Sequence, residues 1–263
     1  MQAPQQALLP STHSASVLDV YRIVNLAEDI RLPVDSFLNP TASPWAVSLA
    51  KRSLDLMGAL IALAILALPM IAIALLVRFT SSGPALFIQE RVGKGGHLFK
   101  MMKFRSMTYR KDTGSGPGLT RTGDHRITPV GRWLRRLKLD ELPQLINVLR
   151  GDMSMVGPRP KLPRYAALWD MPYRPGVTGA ATLAFRREEE ILGQFDPAEL
   201  DACYERSIKP LKARVDVRYM CRATCWSDLR LIAATLLACI WPGITHRVIH
   251  FEESMKIARL RLD

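Results

Sequence analysis

The chain has 263 residues, 48% of them hydrophobic, a length that holds one sizeable domain with accessory segments and excludes any need for two full cores. Lys and Arg outnumber Asp and Glu by 36 to 24, and the formal charge of +12 points to acidic partners: nucleic acid, anionic lipid or a phosphorylated small substrate. The four cysteines, Cys203, Cys221, Cys225 and Cys239, fall late in a chain with no cleavable signal peptide, so they read as reduced thiols of a cytoplasmic compartment. Cys221 and Cys225 lie one helical turn apart, and a face of small apolar thiols is a plainer reading than zinc with His246 and His250.

Residues 1–45 form a polar arm rich in Ser, Pro and Gln, expected to be partly disordered, with one mildly amphipathic stretch between Val17 and Ile30. The next segment, 46–80, has no charged residue from Leu56 to Val77. As a helix this run is about 33 Å long, enough to cross a hydrocarbon core of about 30 Å. A soluble helix of that length carries a polar stripe, and this one carries none. Pro69, just past the centre, removes a backbone hydrogen bond and favours a bend. Positive charge flanks both ends, Lys51 and Arg52 before and Arg78 after, which places both on the cytoplasmic face. The expectation is a re-entrant membrane helix; a straight span kinked at Pro69 is the alternative.

A turn at Ser81–Pro84 leads to a strand pair, Ala85–Arg91 and Leu98–Met107, joined by Gly93–Gly96, which lacks the spacing of a P-loop and reads as a turn. Residues 112–124 make a glycine-rich flexible loop. Thr128 and Pro129 open a helix running to Lys138, and a second helix is predicted from Asp140. There Leu139, Leu142, Leu145, Ile146 and Leu149 share one face, Pro143 is tolerated in the first turn, and Gly151 closes the helix. Arg174–Gly179 reads as a tight loop, and Asp196–Ile208 as a helix. The last apolar run, Leu229–Trp241, is too short to span and is expected to pack on the domain or lie in the membrane interface, with Trp226 and Trp241 as anchors. Residues 243–263 form a basic C-terminal tail. The fold class that follows is α+β, mostly helical: a re-entrant helix, a small domain over residues 81–242 at the cytoplasmic face, and interfacial amphipathic helices.

Between Lys100 and Lys138 lie eleven basic residues against two acidic ones, Asp112 and Asp124. The carboxylates Asp140 and Glu141 follow at once. Such a pair can simply cap a helix and complement its dipole. It can also hold a divalent cation or attack phosphorus, the chemistry a diphosphate bound by the basic cluster requires. In Gly151–Pro160, Pro158 and Pro160 stiffen the backbone around Arg159, which suits bidentate phosphate recognition; a purely structural arginine is the other reading. Nucleic-acid binding leaves Asp140 and Glu141 idle, and the basic stretch holds Phe104, Tyr109 and Trp133 without a recognised motif.

KFRSM (Lys103–Met107), LDELPQLINVLRGDMSMVGPRP (Leu139–Pro160) and RPGVTG (Arg174–Gly179), in this order behind one hydrophobic segment, resemble the bacterial sugar transferase family, the monotopic polyprenyl-phosphate phosphoglycosyl transferases. The resemblance covers roughly residues 48 to 242 and is highly specific. It implies a cytoplasmic catalytic domain on the inner membrane, a helix bent at Pro69, and an Asp140–Glu141 dyad with Mg2+. On that likeness Asp140 attacks the β-phosphorus of a nucleotide diphosphate sugar, expected to be a UDP-sugar, and releases the nucleoside monophosphate. Polyprenyl (undecaprenyl) phosphate then takes the sugar-1-phosphate from the aspartyl intermediate, which starts exopolysaccharide or other glycoconjugate synthesis. Glu141 helps hold the metal; Lys103, Arg105 and Arg135 contact phosphate; Pro158, Arg159 and Pro160 meet the nucleotide sugar. No nucleic-acid partner is expected, and homo-oligomerisation is left open. Two departures stand out: Leu68 precedes Pro69 where the family often has Ser, and Ala180–Arg187 replaces its more usual continuation.

Overall fold

Ser48 starts the first helix, α1 (Leu49–Thr80), by accepting a hydrogen bond from the Lys51 amide at 3.0 Å. This computed structural model describes residues 41–109, 124–163, 171–186, 188, 204 and 208–240. The arm before residue 41, the 112–124 loop apart from Asp124, the Asp196–Ile208 helix apart from Tyr204 and Ile208, Trp241 and the tail lie outside them. Thirty-two residues make α1 about 48 Å long, and it runs on through Pro69 as one element. The expected reversal is therefore not built from two separate helices.

The two sides of α1 have different surroundings. Ala59 packs with Phe99, Met101, Leu145, Val148 and Met153, with Ala62, Leu63 and Leu66 beside it. Farther along, Ile73 and Val77 pack with Phe104 and Leu134, supported by Met70 and Ala74. These positions recur every three or four residues and form one continuous stripe against the domain. The opposite side exposes Leu60, Ile61, Ile65, Leu68, Ile71, Leu75 and Phe79, with Leu68 79% and Phe79 82% accessible. It is the one described helix long and apolar enough to cross a membrane.

Strands β1 (Leu86–Val92) and β2 (Leu98–Phe104) pair antiparallel, Leu86 opposite Phe104 and Val92 opposite Leu98, around a single 3-10 turn at Lys94–Gly96. The second strand stops short of the predicted Met107, because Met107 bridges Ile127 instead. Alternation along β2 puts Phe99, Met101 and Lys103 on one face. Thr128 caps α2 (Pro129–Arg136), its Oγ1 accepting from the Gly131 amide at 2.9 Å. Lys138 then takes a left-handed conformation, φ 58°, and the chain makes a 3-10 turn at Leu139–Glu141 before α3 (Gln144–Arg150) begins behind Pro143. The predicted second helix is thus split. Asp140 and Glu141 stand on the separate turn, and neither caps α3.

Strand β3 (Ser154–Val156) pairs in parallel with β4 (Gly176–Thr178), so the segment expected to be a tight loop carries a short strand. The two backbones approach so closely that a Cβ on Gly176 would sit 2.1 Å from the Gly157 nitrogen. This is why both GPRP and RPGVTG need glycine. The short α4 (Ala180–Ala184) follows, then α5 (Lys209–Arg222) and α6 (Cys225–Ile240). The α5–α6 break separates Cys221 from Cys225, so they do not share a helix face.

A buried polar network ties the start of α1 to α6. Lys51 Nζ lies 2.6 Å from Asp228 Oδ2 and 3.8 Å from Asp55 Oδ1. Asp228 also accepts from Trp45 Nε1 at 2.9 Å and Tyr219 Oη at 2.7 Å. Asp55 accepts from Ser154 Oγ at 2.8 Å and the Met155 amide at 3.0 Å. Lys51 therefore serves an internal pair instead of acting as a free flanking charge. Ser43, Ala46 and Trp45 pack against Met171, Tyr173, Met220 and Ala223, so the end of the polar arm belongs to the folded domain.

Candidate active site

Glu141 is the centre of a clamp drawn from three segments. Lys103 from β2 donates to Glu141 Oε1 at 3.2 Å, and Arg159 from the loop after β3 donates to the same oxygen at 2.7 Å. The Glu141 side chain is 9% exposed. Burial alone would raise its carboxyl, but the charge of Arg159, then those of Lys103 and Lys138, outweigh burial and hold it well below the usual carboxylate range. Arg159 is raised in turn, first by Glu141.

Asp140 is the opposite case. It is 5% exposed, and its Oδ1 is buried with no hydrogen-bond donor. Burial first, and the Glu141 charge next, raise its carboxyl, against Lys103, Lys138 and Arg135. One carboxylate is therefore neutralised by protein cations and its neighbour is left with an oxygen to offer. Buried polar atoms without a partner are rare, and this oxygen is left open to one.

The Pro-Arg-Pro segment is fixed on both sides. Pro158 O accepts from the Gly176 amide at 2.9 Å, and Pro160 O accepts from Arg91 Nη1 at 3.1 Å. The Val92 amide donates to Lys161 O at 3.0 Å. Arg135 sits on the last turn of α2 and adds to the field at Asp140. Arg105, expected at phosphate, makes its contacts elsewhere: Nη2 donates to Val77 O at 3.0 Å and to Ser81 O and Oγ at 2.8 Å, closing the end of α1. Pro69 lies inside α1 and touches none of this.

Asn147 escaped the sequence reading. Fully buried, it accepts from the Met102 amide at 3.0 Å and donates to Lys100 O at 2.8 Å and Asp152 Oδ2 at 3.0 Å. It thereby joins α3, β2 and the loop after α3, and sets Lys103 beside the dyad turn. Asp152 is engaged in this join. A buried polar residue on an apolar helix face was the available signal. Asp216 also escaped: its Oδ1 accepts from the Ala181 amide at 3.0 Å, and the Arg159 backbone donates to it as well.

The bacterial sugar transferase family matches residues 46–242. The chain belongs to this family. Among its relatives, a UDP-glucose:undecaprenyl-phosphate glucose-1-phosphate transferase of Caulobacter vibrioides is 39% identical, over 73% of this chain and 70% of that protein. An Aeromonas hydrophila UDP-N-acetylgalactosamine-undecaprenyl-phosphate N-acetylgalactosaminephosphotransferase is 36% identical, over 62% of this chain and 42% of its own length. The exopolysaccharide production protein PSS of Rhizobium leguminosarum is 36% identical, over 73% of this chain and 96% of that one. The bacterial sugar transferase match thus takes in the clamp, the dyad turn, α1 and α6.

The acidic groups near a cation here are Asp140, with its open oxygen, and Glu141, whose Oε1 is already held by Lys103 and Arg159, and among the described residues no group of three or more His, Cys, Asp and Glu gathers. That set suits Mg2+, which keeps several waters and takes one or two carboxylates plus substrate phosphate oxygens. The unpartnered Asp140 Oδ1 is a hard oxygen donor of the required kind.

Proposed function

We propose that this protein transfers a sugar-1-phosphate from a nucleotide diphosphate sugar, a UDP-sugar by analogy with its named relatives, to polyprenyl phosphate, with Asp140 as nucleophile. The observation that carries the reading is the buried Asp140 oxygen without a donor beside a Glu141 already clamped by Lys103 and Arg159. Asp140 forms a bond to the β-phosphorus, and the bond from that phosphorus to the bridging oxygen breaks, releasing the nucleoside monophosphate. The acceptor phosphate then attacks the same phosphorus and expels the Asp140 carboxylate. Two displacements let one site serve a soluble donor and a lipid acceptor in turn.

Asp140 and Glu141 would hold Mg2+, which when bound supplies positive charge that offsets repulsion between a carboxylate and a diphosphate. Glu141 keeps Lys103 and Arg159 aimed at one point, so both cations await the donor with their orientation fixed. The Pro-Arg-Pro backbone, held by Gly176 and Arg91, limits the entropy Arg159 loses on binding. Arg135 adds field strength at Asp140. Burial of the dyad keeps water from competing with the acceptor.

The membrane reading goes with this function. Both ends of α1 pack on the same domain, which supports a re-entrant path through one leaflet of the inner membrane with the domain in the cytoplasm; the exposed apolar faces of α1 and α6 would contact lipid. The test is release of nucleoside monophosphate from a panel of nucleotide sugars by the detergent-solubilised chain, with and without Mg2+ and undecaprenyl phosphate. Turnover that needs the lipid and falls at least about a thousandfold in Asp140→Asn is expected. Release indifferent to lipid would make the protein a hydrolase and sink the proposal.

A further inference from the structure

At the start of α1 lies a cleft outside the dyad site, lined by Ser48, Arg52, Asp55, Lys94, Ser154 and Arg174 among others. We propose that Arg52, Arg174 and Lys94 hold the phosphate of a membrane lipid headgroup in this cleft. Arg174 opens the RPGVTG segment and has no part in the chemistry above.

Three observations lead there. Among the described residues none of the three cations has an ion-pair partner. Asp55, in the same lining, is occupied by Ser154 Oγ and the Met155 amide, with Lys51 close by. Next, Arg52 and Arg174 are held near each other despite their mutual repulsion. Arg174 Nε donates to Gly151 O at 2.7 Å, whereas Arg52 makes two long contacts of 3.4 Å, to Met153 O and Leu149 O. Leu149 O and Gly151 O at the end of α3, and Met153 O in the loop after it, orient both guanidiniums, leaving the Nη groups of Arg174 without a protein partner among the described residues. Asp55 offsets only part of this repulsion at Arg52, being also engaged by Lys51, Ser154 and the Met155 amide, and two guanidiniums so placed suit a bidentate phosphate ligand.

The third observation is position. The positive end of a 32-residue helix faces this region. Immediately beyond it the exposed apolar side of α1 begins, with Leu49 85%, Met57 59% and Leu60 61% accessible. A phosphate in the cleft would have its hydrocarbon tail continuing along α1. A soluble anion has no use for that surface, and a lipid does. Lys94, exposed on the β1–β2 turn, closes the cleft from the far side.

The inference rests on α1 entering a bilayer, and the experiment keeps the two apart. The full chain is placed in vesicles of phosphatidylcholine with a minor fraction of phosphatidylglycerol, and retained lipids are counted by native mass spectrometry. Failure to associate with pure phosphatidylcholine vesicles overturns the membrane reading and the site with it. Arg52→Gln/Arg174→Gln is expected to lose retained phosphatidylglycerol about tenfold, whereas the charge-matched Lys100→Gln/Arg132→Gln keeps it. If phosphatidylglycerol is unchanged but KM for undecaprenyl phosphate rises about tenfold, the phosphate is that of the acceptor lipid. No change in either overturns the proposal and leaves both arginines as caps of α3. Should the double variant fail to fold, Lys94→Glu decides: its side chain makes no hydrogen bond or ion pair among the described residues, a several-fold loss of retained lipid is expected, and an unchanged count rejects the site.

Discussion

Asn147 shows how one side chain can position chemistry it never touches. Its three hydrogen bonds satisfy the Met102 amide, the Lys100 carbonyl and Asp152 at once. Asn147→Leu fills the space and orphans the two β2 backbone groups, so unfolding free energy should drop by about 2 to 4 kcal/mol, read from urea melts. Asp216 gives a pH signature. Burial pushes its carboxyl up to about 6 against the Ala181 and Arg159 amides and the charges of Lys212 and Lys161; Tyr173 faces it from across the core. A carboxyl raised in the folded state binds protons that the unfolded chain has released, so its contribution is full below about pH 4 and is lost as pH rises through about 6. Asp216→Asn should therefore flatten stability between about pH 4 and pH 6 and gain up to about 2 to 3 kcal/mol at pH 7.5. Thermal melts across that range check it; an unchanged slope would show that Asp216 titrates normally.

At the scale of elements, the Lys51–Asp228 pair decides how the apolar helices meet. Lys51→Met leaves Asp228 with Trp45 and Tyr219 as donors and Asp228→Leu leaves Lys51 beside Asp55, so each alone should cost about 3 to 5 kcal/mol, whereas the double variant should cost less than the sum of the two. A double-mutant cycle in detergent measures the difference; additive losses would mean that the pair is not coupled. The turn holding Asp140 and Glu141 depends on elements on both sides of it. Lys138 must adopt a left-handed φ to end α2, and Pro143 then starts α3 afresh. The dyad is thereby freed from capping and turned toward β2 and the Pro-Arg-Pro segment.

For the whole molecule, the exposed apolar side of α1 continues in kind on α6, where Trp226, Leu229, Leu236, Leu237 and Ile240 are open. Trp226 stacks with Arg230, 5.2 Å from the guanidinium carbon to the ring centroid, an arrangement suited to the headgroup level. A patch of this extent fits membrane association. If both ends of α1 lie on one side, cysteines introduced at Ser53 and Ser82 should react equally with a membrane-impermeant maleimide, and only when the cytoplasmic face is accessible. Labelling of the two from opposite faces would establish a spanning helix and overturn the re-entrant reading.

The apolar run, the strand pair and the carboxylate pair beside a basic cluster were legible in the sequence because each is local: composition over 22 residues, alternation and turn residues, adjacent charges. The 3-10 turn beneath the dyad, the parallel β3–β4 pair and the diversion of Arg105 to the end of α1 were not. Each goes with contacts between segments 22 to 38 residues apart in the chain, and no local propensity encodes those. Lys51 makes the same point: beside an apolar run it reads as a flanking charge, and only the approach of Asp228, 177 residues on, turns it into the pin between two helices.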